Sequence, residues 1–170
     1  MKLSLLSLLM LFITSPIWPI GQNPIVGDPL LIVNVSTNEL AYIDQGEIQE
    51  VHKVATGKLG DETPVGLFTI VVKAKDPYYR KKDIPGGDPN NPLGSRWLGF
   101  DANDTDGRIY GVHGTNRPES IGYSITSGCI RLPNEIVEQM YDEIPIGTKI
   151  YITDAEEAYL EIAQNIGAIK

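Results

Sequence analysis

The sequence contains a succession of short β-strands separated by turns, and this pattern limits its fold more than any other feature. Each run is apolar or alternates apolar with polar residues, and turn-forming residues separate the runs. The first two runs are joined by Ser36, Thr37 and Asn38, which predicts a hairpin. About seven strands are expected, at residues 29–35, 39–44, 48–56, 67–74, 97–101, 108–113 and 149–152. The sequence therefore predicts a mainly β domain, either a sandwich or a barrel.

Helical patterns occur only late in the chain. Asn134 is expected to cap a helix whose apolar residues recur at helical spacing up to Ile144. Thr153 and Glu156 have the spacing of a capping box, and they precede a second amphipathic stretch that Gly167 closes. The predicted fold is thus a mainly β sandwich or barrel with one inserted helix and a C-terminal helix.

The N-terminal segment predicts export. A single lysine precedes an apolar run of about a dozen residues, which is the length of a secretory signal, whereas a membrane-spanning helix needs roughly 20. Pro16 and Pro19 follow this run, and no Ala-x-Ala cleavage site is present after it. Residues 1–20 are therefore predicted to be a signal peptide or a retained N-terminal anchor, and a buried core helix is the alternative.

Charge and cysteine content exclude several classes of protein. The 170 residues are enough for one ordinary domain, and 14 basic against 22 acidic residues give a net charge of −8. This balance argues against nucleic acid as a partner. His52, His113 and Cys129 are too few to cage zinc without carboxylates. A lone cysteine forms no intrachain disulfide, and in an exported protein it indicates a reactive thiol or intermolecular pairing.

The residues best suited to catalysis lie between Tyr110 and Leu132. His113 ends a predicted strand, and Cys129 follows sixteen residues later, directly after Gly128. An imidazole can deprotonate a thiol, and Gly128 leaves room for a substrate carbonyl to approach backbone amides. The alternative is an inert, buried Cys129 with His113 at the surface.

Other polar and aromatic residues receive simpler interpretations. His52 is expected at the surface and Trp97 in the core. Tyr110 and Tyr123 flank the residues proposed for catalysis, and they are expected either to line a cleft there or to lie outside it. The irregular stretch at residues 76–96 is expected to be functional or mobile. A basic cluster is either a solvated face or a contact for anionic wall polymers or lipid head groups, and it comprises Lys73, Lys75, Arg80, Lys81 and Lys82.

Several ordered motifs resemble one family, the L,D-transpeptidase catalytic domain of the YkuD type. They are the run at residues 113–115, Pro118, the run at 120–122, and Ser127 with the following run at 128–132. Upstream runs at residues 55–57, 63–70, 91–94 and 97–99 are also similar to the family pattern, so the resemblance extends from about Leu30 to Thr153. One position differs, because Ser127 stands where many members carry a second histidine.

The resemblance implies a fold, a domain division and a mechanism. The catalytic domain would occupy residues 29–153, and residues 154–170 would form a C-terminal helical extension. Cys129 would attack a peptidoglycan stem peptide and form an acyl-enzyme with release of D-alanine, while His113 would donate and accept protons. The carbonyl of Gly114 would orient the imidazole, and the amides of Gly128 and Cys129 would form the oxyanion hole.

The resemblance also implies partners and location. Substrate contacts would come from Tyr110, Thr115, Ser127 and Arg131, although a structural salt bridge is the alternative for Arg131. The partners would be donor and acceptor stem peptides, with carbapenem β-lactams as inhibitors and possible membrane attachment through the leader. Neither a metal nor an organic cofactor is required, and the enzyme would be exported to the cell wall. An L,D-carboxypeptidase and a non-catalytic wall-binding module are the alternative functions.

Overall fold

The computed structural model describes residues 23–170, and strands account for most of its regular structure. The predicted leader at residues 1–20 lies outside the described residues. Within the described part of the chain, no helix is long and apolar enough to span a bilayer. The strands are β1 (Leu30–Asn34), β2 (Glu39–Asp44), β3 (Glu47–Lys53), β4 (Thr56–Gly57), β5 (Gly66–Lys75), β6 (Arg96–Phe100), β7 (Tyr110–His113), β8 (Ser124–Thr126), β9 (Ile130–Arg131) and β10 (Lys149–Thr153), and the helices are α1 (Asn134–Glu143) and α2 (Tyr159–Ile166).

Eight strands form one curled sheet in the order β3-β2-β1-β10-β5-β6-β7-β9, and β4 pairs with β8 in a smaller sheet. The predicted hairpin is confirmed, because β1 and β2 pair antiparallel. The two edges of the large sheet meet where Ala55, just after β3, exchanges backbone hydrogen bonds of 3.0 and 2.9 Å with Arg131 in β9. The predicted fold class, mainly β with one inserted and one C-terminal helix, is confirmed.

Two apolar cores lie on opposite faces of this sheet. In the larger core, α1 contributes Val137 and Met140, which pack with strand residues such as Leu31, Leu98 and Val112. The smaller core joins α2 to the other face, and it contains Leu30, Ile32, Ala41, Ile43, Ile162 and Ala163. Every residue of β1 is buried because both faces of this strand are covered, which explains its unbroken apolar run.

Both predicted helix caps are wrong, although the first helix does begin at Asn134, and local side-chain bonding explains why. The residue before α1 is Pro133, and Asn134 makes no capping bond to the helix because its amide binds a distant loop. α2 begins only at Tyr159, and the Thr153 hydroxyl accepts a hydrogen bond of 3.1 Å from the Ala155 amide instead of capping a helix. The predicted end of the C-terminal helix is confirmed, since Gly167 has a φ of 99° there.

Candidate active site

The pairing of β7 with β9 places Cys129 and His113 on one face of the sheet. The two strands are parallel, with Val112 opposite Ile130 and His113 opposite Arg131. Side chains alternate along a strand, and Val112 and Ile130 point into the larger core. His113 and Cys129, which precedes β9 by one residue, therefore lie together on the other face.

Cys129 is partly buried and lines a cleft of about 400 Å³. Its Sγ donates a hydrogen bond to the carbonyl of Ile109 at 3.4 Å, and no hydrogen bond within residues 23–170 joins it to His113. Burial raises the pKa of the Cys129 thiol, while the Gly111 amide and the charges of Lys81 and Arg131 act in the opposite direction. The resting cysteine is therefore a thiol, with polar groups around it that favour the thiolate.

His113 is buried and held in one orientation. Its Nδ1 donates a hydrogen bond of 2.6 Å to the carbonyl of Gly114, which leaves Nε2 as the unprotonated nitrogen of a neutral ring. Burial lowers the pKa of His113 to about 4, the Gly114 and Leu93 carbonyls oppose this shift, and the charge of Arg131 adds to it. His113 is thus neutral at physiological pH and able to accept a proton.

Trp97 supports the imidazole from the neighbouring strand. It lies opposite His113 in the pairing of β6 with β7, and the two rings stack with centroids 5.5 Å apart and an interplanar angle of 18°. The indole Nε1 donates a hydrogen bond of 2.8 Å to the Gly107 carbonyl. A Cβ at Gly111 would lie 2.6 Å from the indole ring, so this position requires glycine. Trp97 is buried, as predicted, and it also forms a wall of the cleft.

A buried threonine sets the turn that presents Cys129. Thr126 Oγ1 donates a hydrogen bond of 2.6 Å to the Cys129 carbonyl and accepts one of 3.2 Å from the Gly128 amide. Gly128 has a φ of 99°, a conformation that side chains other than glycine adopt at a cost. The ring of Tyr110 would lie 3.1 Å from a Cβ at Gly128. The Gly128 amide that the sequence analysis assigns to the oxyanion hole therefore has a hydroxyl partner in this structure.

Asn134 fixes the chain that follows His113. Its Oδ1 accepts hydrogen bonds from the amides of Ser95 (3.2 Å) and Thr115 (3.1 Å), and its Nδ2 donates to the Thr115 carbonyl at 3.0 Å. A Cβ at Gly114 would lie 2.1 Å from Asn134 Oδ1, so glycine is needed there as well. This role of Asn134 was not predicted, because the residues around it have the pattern of a helix cap.

The other predicted substrate-binding residues lie near the pair without lining the cleft. Tyr110 stacks on Phe100 with centroids 6.2 Å apart, and Thr115 is buried with Oγ1 accepting from the Arg117 amide at 3.0 Å. Ser127 is exposed. Arg131 has a buried Nε without a hydrogen-bond partner and, within residues 23–170, it forms no salt bridge.

One side of the cleft is formed by residues 76–95, which we call the cleft loop. Asn91 is buried in this loop and holds it together, because Nδ2 donates to the carbonyls of Pro77 (2.8 Å) and Pro85 (3.0 Å) and Oδ1 accepts from the Leu93 amide (2.9 Å). The loop contributes six of the residues around the cleft, namely Pro77, Tyr78, Tyr79, Arg80, Lys81 and Leu93. The long irregular stretch is therefore a structured wall of the Cys129 cleft.

The basic cluster of the sequence divides into two groups. Lys73 lies over the Tyr141 ring at 4.4 Å and donates to the carbonyl of Ile144 at 2.7 Å, so it closes the C-terminal end of α1. Arg80 and Lys81 line the cleft instead. His52 is half-buried on β3 and bonds the Glu50 carboxylate at 2.6 Å, apart from the Cys129 cleft.

Comparison of the sequence with known families gives one match, to the family described as YkuD, the L,D-transpeptidase catalytic domain, over residues 28–152. A putative L,D-transpeptidase, YqjB of Bacillus subtilis (strain 168), is 55% identical over 163 residues, which cover 96% of this chain and 92% of the relative. A second putative L,D-transpeptidase of that strain, YkuD, is 31% identical over 140 residues, covering 78% of this chain and 75% of the relative.

Solved structures show the same fold. An L,D-transpeptidase from Mycobacterium smegmatis superposes with a TM-score of 0.61 at 23% identity, covering 75% of this chain and 59% of that one. An L,D-transpeptidase solved in complex with imipenem gives a TM-score of 0.59 at 20% identity, again covering 75% of this chain and 59% of that one. The chain thus spans about three-fifths of these solved proteins, and the predicted L,D-transpeptidase type of fold is confirmed.

Proposed function

Because the chain belongs to the YkuD-type L,D-transpeptidase family, we propose that it cross-links peptidoglycan stem peptides through an acyl-enzyme on Cys129. One observation carries this proposal. The single thiol of the chain lines a cleft of about 400 Å³ and lies on the same face of the sheet as a buried, neutral histidine whose Nδ1 is fixed. A nucleophile and a base with one free nitrogen are the minimum that acyl transfer requires.

The first half-reaction forms a thioester. Cys129 Sγ leaves the Ile109 carbonyl, transfers its proton to His113 Nε2, and attacks the carbonyl between the third stem residue and the terminal D-alanine. The C–N bond then breaks, and the imidazolium returns the proton to the departing D-alanine amine. Since the resting pair is neutral on both sides, the proton moves during attack and no thiolate–imidazolium pair is stored beforehand.

The second half-reaction transfers the acyl group. An amine on a second stem peptide attacks the thioester, His113 accepts a proton from that amine, and the proton returns to the sulfur as the thioester breaks. Backbone amides of Gly128 and Cys129 stabilise the tetrahedral oxyanion in both halves. Because the Gly128 amide already donates to Thr126 Oγ1, we assign the greater share to the Cys129 amide.

Four neighbouring residues complete the proposed site. Arg131 stabilises the developing negative charge at sulfur, which agrees with its effect on the pKa of Cys129. Tyr110 and Ser127 flank the turn that carries Cys129, and we assign them contacts with substrate outside the cleft itself. Thr115 is buried, so we assign it a positioning role in the chain that follows His113. No step requires a metal or an organic cofactor.

The proposed reaction also implies a location and an inhibitor class. Peptidoglycan lies outside the cytoplasmic membrane, so we propose that residues 1–20 direct export as a signal peptide or remain as an anchor. One solved relative is described in complex with imipenem, and we propose that carbapenems acylate Cys129 in the same type of cleft.

Mass analysis of reaction products tests the proposed function. The purified protein is incubated with disaccharide tetrapeptides, and dimers lacking one D-alanine are the expected product. Trimmed monomers without dimers would identify an L,D-carboxypeptidase instead, because water would then have released the acyl group. Intact-mass measurement after exposure to imipenem is expected to show one adduct.

Two variants serve as controls. Cys129→Ala removes the nucleophile and is expected to abolish both dimer formation and the imipenem adduct, whereas Lys82→Gln, at an exposed residue that does not line the cleft, leaves the adduct in place. Dimers produced by Cys129→Ala would disprove the cysteine mechanism. Absence of product and of adduct in the unaltered protein would instead support a non-catalytic wall-binding module.

A further inference from the structure

The Cys129 cleft is cationic, although the chain as a whole is acidic. Its lining includes Arg80, Lys81 and Arg108 and contains neither Asp nor Glu, while the chain carries a net charge of −8. In a protein with 22 acidic residues, a cleft that excludes all of them indicates a ligand with negative charge.

Two of these cations have no side-chain partner in the part of the chain that the structure describes. Arg108 is paired with the Asp106 carboxylate, so its charge is already neutralised. Within residues 23–170, neither Arg80 nor Lys81 forms a salt bridge or a side-chain hydrogen bond. Both side chains are therefore available to an anion that enters the cleft.

The cleft loop holds these two residues at fixed places. Tyr79 and Ile84 exchange backbone hydrogen bonds of 2.9 and 3.2 Å, and Arg80–Lys82 form a 3-10 turn between them. Asn91 bonds the carbonyls of Pro77 and Pro85 on either side of this turn. Hydrogen bonds therefore hold the two ends of the turn together and fix the residues on either side of it.

The same turn provides an internal control. Lys82 adjoins Lys81 and is equally exposed, but it is not among the residues that line the cleft. A ligand in the cleft therefore meets Arg80 and Lys81 and not Lys82. The charge of Lys81 also favours the thiolate form of Cys129, which is consistent with a place near the sulfur.

We propose that Arg80 and Lys81 form a subsite that binds a free carboxylate of the donor stem peptide and so selects substrates that carry this charge beside the scissile bond. The inference rests on the proposed function, because it names the recognition element of the same site. The apolar lining, which includes Val72, Leu93 and Trp97, strengthens the attraction by excluding water from one side. Two carboxylates of the donor qualify, that of the third residue's side chain and that of the terminal D-alanine.

Substrate variants combined with protein variants test this subsite. The rate of leaving-group release is measured for three substrates. The tetrapeptide and its analogue amidated on the third residue release D-alanine, and the analogue with a C-terminal amide releases D-alaninamide. The double variant Arg80→Gln, Lys81→Gln is expected to lower kcat/KM for the tetrapeptide about tenfold or more, mainly through KM. Lys82→Gln is expected to stay within about twofold of the unaltered protein.

The amidated substrates identify the carboxylate. The analogue that lacks the recognised carboxylate is expected to react slowly with the unaltered protein and no more slowly with the double variant. High salt is expected to narrow the difference for the tetrapeptide, since both cations are exposed. The subsite would be overturned if the double variant lost kcat/KM equally on all three substrates or lost none on any of them. It would also be overturned if Lys82→Gln lost as much kcat/KM as the double variant.

A binding measurement separates this inference from the proposed reaction. Calorimetric titration of Cys129→Ala with the tetrapeptide, with and without the Arg80→Gln, Lys81→Gln substitutions, needs no turnover. Weaker binding only in the triple variant supports the subsite even if the unaltered protein releases no D-alanine, which would defeat the proposed function alone. Absence of tetrapeptide binding to Cys129→Ala overturns the subsite.

Discussion

The two sides of the Cys129 cleft are constructed in different ways. The cleft floor, residues 109–113 and 126–131, is centred on the pairing of β7 with β9 in the curled sheet. Its polar groups are held by buried partners such as Thr126 and the Gly114 carbonyl. The cleft loop has no partner strand in the large sheet. The buried side chain of Asn91 holds its interior, and Asn134 holds its last residue, Ser95. The proposed chemistry thus lies on the side that belongs to the sheet, and the proposed charge recognition lies on the side formed by a loop.

The largest effect is expected from replacing His113, the proposed general base. His113→Gln removes the proton acceptor, and we expect acylation to slow by about 10²–10⁴-fold, the range typical of general base catalysis. Single-turnover formation of the imipenem adduct, followed by intact mass, measures this rate. A decrease below about tenfold would show that the thiol reacts without the imidazole.

The pH dependence of stability tests the burial of the same histidine. Its pKa falls from 6.5 in the unfolded chain to about 4 in the fold, so the contribution to stability is complete above pH 6.5 and is lost as the pH falls toward 4. The loss amounts to about 3 kcal/mol. Urea unfolding gives the free energy of unfolding of the unaltered protein and of His113→Gln at each pH between 4 and 7. The histidine's contribution is the difference between the two proteins in how steeply this free energy changes with pH. Parallel curves would contradict the buried, neutral state.

Two asparagine substitutions compare the segment that supports His113 with the interior of the cleft loop. Asn134→Ala breaks three hydrogen bonds to residues 95 and 115, and we expect it to lower the free energy of unfolding by about 2 kcal/mol and to slow acylation. Asn91→Ala breaks three bonds inside the cleft loop, and we expect faster proteolysis at residues 76–95 with a smaller change in global stability. Urea unfolding and limited proteolysis distinguish the two, with Asn165→Ala as the control because Asn165 is exposed on α2, away from the cleft loop. Identical profiles would show that loop and sheet unfold together.

The smallest expected effect is that of Lys81, in the cleft loop, on the pKa of Cys129, in the cleft floor. Burial raises the pKa of Cys129 and Lys81 lowers it, so Lys81→Gln is expected to raise the pKa further and to slow alkylation by neutral iodoacetamide severalfold at fixed pH. The rate in the unaltered protein is expected to increase as pH rises above 8.5, the usual thiol value. Rates measured from pH 7 to 10, with Lys82→Gln as the matched control, test whether the loop charge reaches the sulfur.

Local patterns were sufficient to predict part of this site. The β1–β2 hairpin and the spacing of His113 and Cys129 depend on residues close in sequence, and the resemblance extended this to the family. The strand pattern was less complete, since β8 and β9 have only three and two residues and carry too little pattern to predict a strand. The division of residues 48–56 into β3 and β4 was missed for the same reason.

Contacts between distant residues were not predictable in this way. Trp97 reaches His113 only through the register of β6 with β7, and Asn134 reaches Thr115 only when α1 packs beside the cleft floor. The basic cluster seemed continuous because its members are close in sequence. The sheet separates them, since Lys73 lies within β5, whereas Arg80 and Lys81 follow that strand and turn into the cleft.

The position of β1 has a consequence for how the chain is made. β1 is hydrogen-bonded to β2 on one side and, in parallel, to β10 on the other, with Leu30 opposite Lys149. The large sheet therefore cannot close until residues 149–153 have left the ribosome, long after β1 itself. Such distant pairing slows folding. A nascent chain of this topology completes its sheet only late in synthesis, which is compatible with the export that we propose for it.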